Sequence, residues 1–452
     1  MSTFRSINPY TQETIAEYTA HTPSELEERL SKGHQAHQAL KHTSLEQRCK
    51  WMQRLAELLK EKADEHATII TGEMGKTLKE AKAEVLKCAT SAEYYVQNIG
   101  SMLASKVIKS DGQQSYVAYE PKGIILAIMP WNFPYWQVFR FAIPNILAGN
   151  AGILKHASNV SGCALAMEQI FLEAGFPEGV FQTVLVNSKH IEPLIADSRV
   201  QGVTLTGSTA AGMSVAGLAG KYIKKTVLEL GGSDPFIVLK DANLEAAAGT
   251  AVKARFQNAG QSCIAAKRWI VDQAIADAFT EQVTTLIQQM SQGDPTLQEI
   301  DMGPMARPDL ATELGHQLHQ SIEQGAKLIT GGQRSGANFA PTLLSGVKPA
   351  MTAFDEETFG PLAVIINADN EQHAIALANQ TPYGLGSSLW TSDLDKARKL
   401  ATQIDSGNVF INAMVRSDAR LPFGGVKQSG YGRELSLEGT HEFLNVKTVY
   451  IA

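Results

Sequence analysis

The chain has 452 residues, 44% of them hydrophobic and 19% charged, with a formal net charge of −6. That length calls for two or three domains, and the composition is that of an ordinary soluble globular protein. The acid excess, unbroken by any run of Lys or Arg, argues against a nucleic-acid surface, and no apolar stretch is long enough to cross a bilayer.

The N-terminal sequence MSTFRSINPYTQ lacks the apolar core of a secretory signal, so a cytoplasmic location is expected. The first hundred residues read as helical. Thr22-Pro23 and Thr43-Ser44 predict helix starts, and Leu45, Trp51, Leu55, Leu58 and Leu59 recur near helical spacing between charged residues. A further helix is predicted from about Leu78 towards Met102. The pairs His34/His37 and His316/His319 each lack a third ligand in sequence reach, so solvated helix faces are expected and no metal. Four widely spaced cysteines, without a CxxC pair, predict neither a disulfide framework nor a zinc site.

Around Asp111-Gly112 the stretch SKVIKSDGQQSYVAYEP predicts a hairpin. It is either a plain surface hairpin or an arm that reaches a partner subunit. A βα alternation follows, with apolar runs at Ile124–Met129, Gly152–Leu154, Val180–Val186, Gly202–Leu205 and Thr226–Leu230. A second series takes in Phe236–Leu239, Trp269–Val271, Ala363–Ile366, Leu385–Trp390 and Val409–Asn412. The fold class predicted is α/β, with two doubly wound parallel units in succession. The terminal HEFLNVKTVYIA reads as a strand able to pair with the 106–121 hairpin.

Three segments carry candidate chemistry. In FQNAGQSCIAAKR, Gly260, Gln261 and Ser262 predict a small, flexible approach to Cys263. A cysteine so placed is a nucleophile or, alternatively, a small buried hydrophobe. In LELGGSDP, Glu229 closes a strand before Gly231-Gly232, where it can serve as a general base or cap the turn. In IMPWNFPYW, Asn132 stands between Pro130 and Pro134, either as a fixed oxyanion donor or completing its own turn. Arg140 is the one charge in the apolar stretch YWQVFRFAIP and shares a helix face with Trp136. A buried guanidinium needs an anionic partner, from the substrate or from a structural acid.

Together these segments resemble the aldehyde dehydrogenase superfamily, from about Asn8 to the C-terminus, and look most like its bacterial succinate semialdehyde dehydrogenase branch. ILKHAS, LTGSTAAG, EETFGP and LPFGGVKQSGYGRE add to the resemblance. It implies a Rossmann-like cofactor domain (1–105 and 122–231), a catalytic domain (232–427) and a β oligomerisation arm (106–121 and 428–452) of a homodimer or homotetramer. It further implies that Cys263 adds to an aldehyde, that Asn132 and the Cys263 N–H hold the oxyanion, and that Glu229 activates water against the thioester. The cofactor would meet Trp131, Lys155, Ser158, Gly207, Ser208, Glu357 and Phe359. Ser158, where many NAD-using relatives carry Glu, implies that NADP is preferred over NAD. Trp136, Arg140 and Ser417 are the implied contacts of a carboxylate-bearing substrate, although Gln257 stands where several relatives place a second Arg. An enzyme for an uncharged or amino aldehyde is the alternative. A non-catalytic protein on the same scaffold would be expected to lack Cys263, Glu229 or Asn132, and all three are present.

Overall fold

The computed structural model describes residues 3–452. Its first six-stranded sheet runs in the order Gly430–Tyr431, Lys225–Glu229, Val200–Thr206, Ile124–Met129, Ala151–His156, Phe181–Thr183. All neighbours are parallel except Gly430–Tyr431, which is antiparallel to Lys225–Glu229. The Ile124–Met129 strand shows why this is a doubly wound layer. Ile125 and Ala127 pack into one core, with the helices Leu45–Glu61, Leu78–Met102 and Trp136–Ala148. Ile124 and Leu126 pack into another, with Leu26, Leu30, Val215 and Ala219 of the helices Pro23–Leu40 and Thr209–Lys221. Period-two alternation with both faces buried yields a continuous apolar run.

A seven-stranded sheet follows, in the order Lys327–Thr330, Thr342–Ser345, Leu362–Ala368, Ala266–Asp272, Asp234–Val238, Gly386–Trp390, Asn408–Ile411. It is parallel except at Lys327–Thr330. The α/β expectation therefore holds. A third sheet joins Lys106–Val107, Gln114–Pro121 and Leu444–Ile451, the last pairing antiparallel with the whole of Gln114–Pro121.

Two of the predicted helix starts carry side-chain caps. Thr22 and Glu25 form a capping box, and the Ser44 hydroxyl accepts the Gln47 N–H. The helix Leu78–Met102 spans the predicted stretch. Three expectations need correction. The first hundred residues are not all helical, because Thr3–Ile7 and Thr14–Thr19 pair as an antiparallel hairpin. His37 does not face solvent: it is buried and its Nδ1 lies 3.0 Å from the Gly149 carbonyl. Residues 428–443 lie outside the three-stranded sheet, and Gly430–Tyr431 extends the six-stranded one. No helix among the described residues is long and apolar enough to cross a membrane.

Candidate active site

The C-terminal ends of the first sheet's strands face the segments that precede two strands of the second. Met129 leads into Pro130-Trp131-Asn132, Thr206 into Gly207-Ser208, and Glu229 into Leu230-Gly231. The chain leaves Ile124–Met129 for Ala151–His156 on one side and reaches Val200–Thr206 later on the other. Such a switch point opens a crevice at the strand ends. From the second sheet come Cys263, three residues before the Ala266–Asp272 strand, and Glu357 and Phe359, just before Leu362–Ala368.

Cys263 borders two cavities. One is lined by Trp131, Asn132, Gly207, Ser208, Glu357 and Phe359 among others. The other is lined by Lys87, Trp136, Arg140, Gln257, Ser417 and Phe423 among others. Among the described residues only Gln137 shares this double position with Cys263. The approach to the cysteine, residues 260–262, is tied by hydrogen bonds at its carbonyls. Asn258, Ala259 and Gly260 all take positive φ, a strained course for the first two. A Cβ on Gly260 would collide with the Gly360 carbonyl. The strain is contained by hydrogen bonds to backbone carbonyls: Asn258 Nδ2 donates to Asn132 and Gln261, and Arg255 Nη1 to Gly260. Lys267 Nζ donates to the carbonyls of Ser262 (3.0 Å) and Cys263 (2.8 Å). Burial pushes the Cys263 thiol up to about 12, against the opposing pull of Lys267 and Arg140. The thiol is therefore protonated at neutral pH, and bond formation at sulfur needs a proton acceptor.

Asn132 does not complete its own turn. Its Nδ2 donates to the Gln261 carbonyl at 3.0 Å, and its Oδ1 accepts from Gln137 Nε2 at 3.1 Å. Its second amide hydrogen has no partner among the described residues, and Asn132 borders the first cavity together with Cys263. His156, in the KHAS segment, holds the preceding turn. Its Nε2 lies 3.0 Å from the Pro134 carbonyl and its Nδ1 3.1 Å from the Met129 carbonyl. Burial lowers its pKa to about 4, keeping it neutral.

Glu229 is buried at its strand end, and neither carboxylate oxygen has a hydrogen-bond partner among the described residues. It does not cap the Gly-Gly turn; Glu357 Oε1 accepts the Gly232 N–H instead, at 3.0 Å. Its side chain packs towards Gly424 and lines neither cavity. Burial raises its pKa well above the usual carboxylate range, Arg140 opposes this and Glu434 adds to it. Arg140 borders the second cavity but already has a structural acid, since its Nε pairs with the buried Glu434 carboxylate. Of the two partners open to it, substrate or structural acid, the structure supplies the acid. Glu434 lies in the C-terminal GRE segment, and sequence reading assigned it no role.

On the first cavity's side, Gly207 donates its N–H to the Glu229 carbonyl, and Ser208 caps the helix Thr209–Lys221. That helix N-terminus presents unpaired N–H groups suited to a pyrophosphate. Glu357 also pairs with Lys267 at 3.2 Å, and a Cβ on Gly231 would collide with its carboxylate. Trp131 and Phe359 meet edge to face at 5.8 Å. Lys155 and Ser158 lie off this cavity, at the end of the neighbouring Ala151–His156 strand. Lys155 makes no ion pair among the described residues, and burial lowers its pKa. On the second side, Trp136 Nε1 donates to Ser417 Oγ at 2.8 Å. Lys87, which sequence reading missed, donates to the same oxygen at 2.9 Å.

The model of the aldehyde dehydrogenase family matches residues 1–449. Over 450 residues the chain is 49% identical to a probable succinate-semialdehyde dehydrogenase [NADP(+)] of Synechocystis, covering 99% of both. It is 45% identical to a succinate semialdehyde dehydrogenase [NAD(P)+] of Escherichia coli, covering 98% of this chain and 97% of that one. Among solved structures, the succinic semialdehyde dehydrogenase of Streptococcus pyogenes in complex with NADP+ superposes with a TM-score of 0.97. That protein is 36% identical, over 99% of each chain.

Proposed function

The chain belongs to the aldehyde dehydrogenase family, and from that premise we propose that it oxidises succinate semialdehyde to succinate with NADP as the cofactor. The observation that carries this reading is the place of Cys263 between two cavities of different character. One suits a dinucleotide: a helix N-terminus at Ser208, backbone approached closely at Gly231, and the Trp131–Phe359 pair. The other carries Trp136, Arg140 and Ser417.

In this scheme the Cys263 thiol passes its proton to solvent water in the cavity, the sulfur adds to the aldehyde carbon, and the carbonyl π pair moves to the aldehyde oxygen, which becomes an oxyanion. The free Asn132 amide hydrogen and the Cys263 N–H receive that charge. Trp131, Gly207, Ser208, Glu357 and Phe359 hold the nicotinamide half and pyrophosphate, and Lys155 and Ser158 the adenosine ribose. Bound there, the nicotinamide supplies the hydride acceptor that converts a thiohemiacetal to a thioester. Glu229, whose burial makes it a stronger base than an exposed carboxylate, then takes a proton from the water that releases the acid. Ser158 is small, neutral and exposed beside the half-buried Lys155. A 2′-phosphate meets a cation there and no carboxylate.

One observation favours the alternative of an uncharged aldehyde, namely that Glu434 already neutralises Arg140. Kinetics with NADP and NAD against succinate semialdehyde, glutarate semialdehyde, hexanal and betaine aldehyde separate the readings. A kcat/KM highest for succinate semialdehyde with NADP supports the proposal; preference for hexanal overturns it. The enzyme is further proposed to act in the cytoplasm as a homodimer or homotetramer. Support for the assembly comes from the three-stranded sheet, which exposes Val107, Val446, Tyr450 and Ile451. Such a face is more apolar than a solvated edge strand requires. Light scattering tests it, and a monomer refutes it.

A further inference from the structure

The helix Leu78–Met102 turns Glu80, Glu84 and Lys87 towards the second cavity. Both acids are already engaged. Glu84 pairs with the buried Lys76 and accepts the N–H groups of Tyr135 and Trp136 at 2.9 Å each. Glu80 accepts the Asn258 N–H at 2.6 Å and the Thr77 hydroxyl at 3.1 Å. Arg140, on the facing helix Trp136–Ala148, has Glu434. Lys253 and Arg416 also border the cavity, but both are exposed to water.

Lys87 differs from all of these. It makes no ion pair among the described residues, and its ammonium group lies 4.0 Å over the Trp136 ring. Among the described residues its one hydrogen-bond partner is the Ser417 hydroxyl. That oxygen accepts from Lys87 and from the Trp136 indole together, which uses both of its lone pairs. The Ser417 hydrogen must then point away from both donors, and no acceptor among the described residues takes it. The result is a paired donor, one ammonium and one hydroxyl, with no anion between them.

We propose that Lys87 is a specificity-determining residue of this enzyme, its ammonium group and the Ser417 hydroxyl receiving the carboxylate of a semialdehyde whose carbonyl lies at Cys263. The assignment rests on the reading of the substrate as carboxylate-bearing. It explains how such a substrate is held although Arg140 is neutralised and Gln257 carries no charge. A half-buried cation without a counterion is costly, and the incoming carboxylate relieves that cost.

The same arrangement carries a pH signature. Burial, with Arg140 adding to it, lowers the Lys87 pKa to about 8, while Cys88, Glu84 and Asp418 oppose. The other ionisable groups around the cavity are Glu80, Lys253, Cys263 and Arg416. As pH rises past that value Lys87 loses its proton, so binding of a carboxylate weakens. The uncharged methyl ester of succinate semialdehyde shares every other titration of the site, including those of Cys263 and Glu229. The ratio of kcat/KM for the acid to that for the ester therefore isolates Lys87.

The test measures this ratio at saturating NADP from about pH 6 to 10 in the wild type, Lys87→Met and Lys87→Arg. The wild-type ratio is expected to be high and to fall above about pH 8. Lys87→Met lowers it roughly 30-fold, the scale of one charge-assisted hydrogen bond. Lys87→Arg keeps a high ratio and loses the alkaline fall, since a guanidinium stays charged. A high wild-type ratio that is flat with pH, or unchanged by Lys87→Met, overturns the assignment alone. A wild-type ratio near unity overturns the substrate reading and the assignment with it.

Discussion

The two cavities that meet at Cys263 are built by different means. The one facing the first sheet draws on backbone, at the strand ends and the N-terminus of the helix Thr209–Lys221, beside the side chains of Trp131, Gln317, Glu357 and Phe359. The one facing the helices Leu78–Met102 and Trp136–Ala148 is made of side chains, with Lys87, Arg140 and Glu84 in its wall. Backbone recognition suits a ligand common to many enzymes, because it depends on chain geometry more than on residue identity. Side-chain recognition can be changed one residue at a time, which is where a substrate preference belongs.

If this contrast is right, damage at the shared wall exceeds damage to either cavity alone. Cys263→Ser should lower kcat by at least ~10³-fold while NADP binding, followed by fluorescence titration, changes little. A serine variant with appreciable turnover would remove Cys263 from the chemistry. Asn132→Ala should lower kcat by about 10²-fold with a smaller change in KM, as loss of an oxyanion donor does. An effect on KM alone would make Asn132 a packing residue. On the cofactor side, Ser158→Glu should shift kcat/KM from NADP towards NAD by about tenfold, roughly 1.4 kcal/mol. A wild type that prefers NAD by that factor would refute the role given to Ser158.

How much of this was legible in the sequence follows the same division. The cofactor side rests on strand–turn–helix patterns, so the strand ends could be read directly, whereas GSTAAG took its meaning from the resemblance alone. Asn132, Glu229 and Cys263 could be singled out from their short segments, each with a structural alternative, and only the resemblance gave them roles. The substrate side was not. Lys87 and Ser417 are 330 residues apart, and only the fold brings them to one hydrogen bond. Arg140 could be flagged as a buried charge in want of an anion, but Glu434 could not be named as that anion. Nor could Gln137, which fixes the Asn132 amide, since a polar residue in an apolar helix carries no address. The hairpin Thr3–Ile7/Thr14–Thr19 escaped notice because its strands are short and mostly exposed, and it is docked through the Ser6 hydroxyl on the buried Glu73 carboxylate. Tertiary contacts, not local pattern, stabilise it.

The central claim is that Cys263 carries the substrate from one cavity's chemistry to the other's, with Glu229 needed only afterwards. Glu229→Gln mixed with NADP and succinate semialdehyde, quenched in acid and analysed by peptide mass spectrometry, tests it directly. A succinyl group on the Cys263 peptide, formed with one equivalent of NADPH, is the predicted result. NADPH release without an acyl group on Cys263, or an acyl group on another residue, would contradict it.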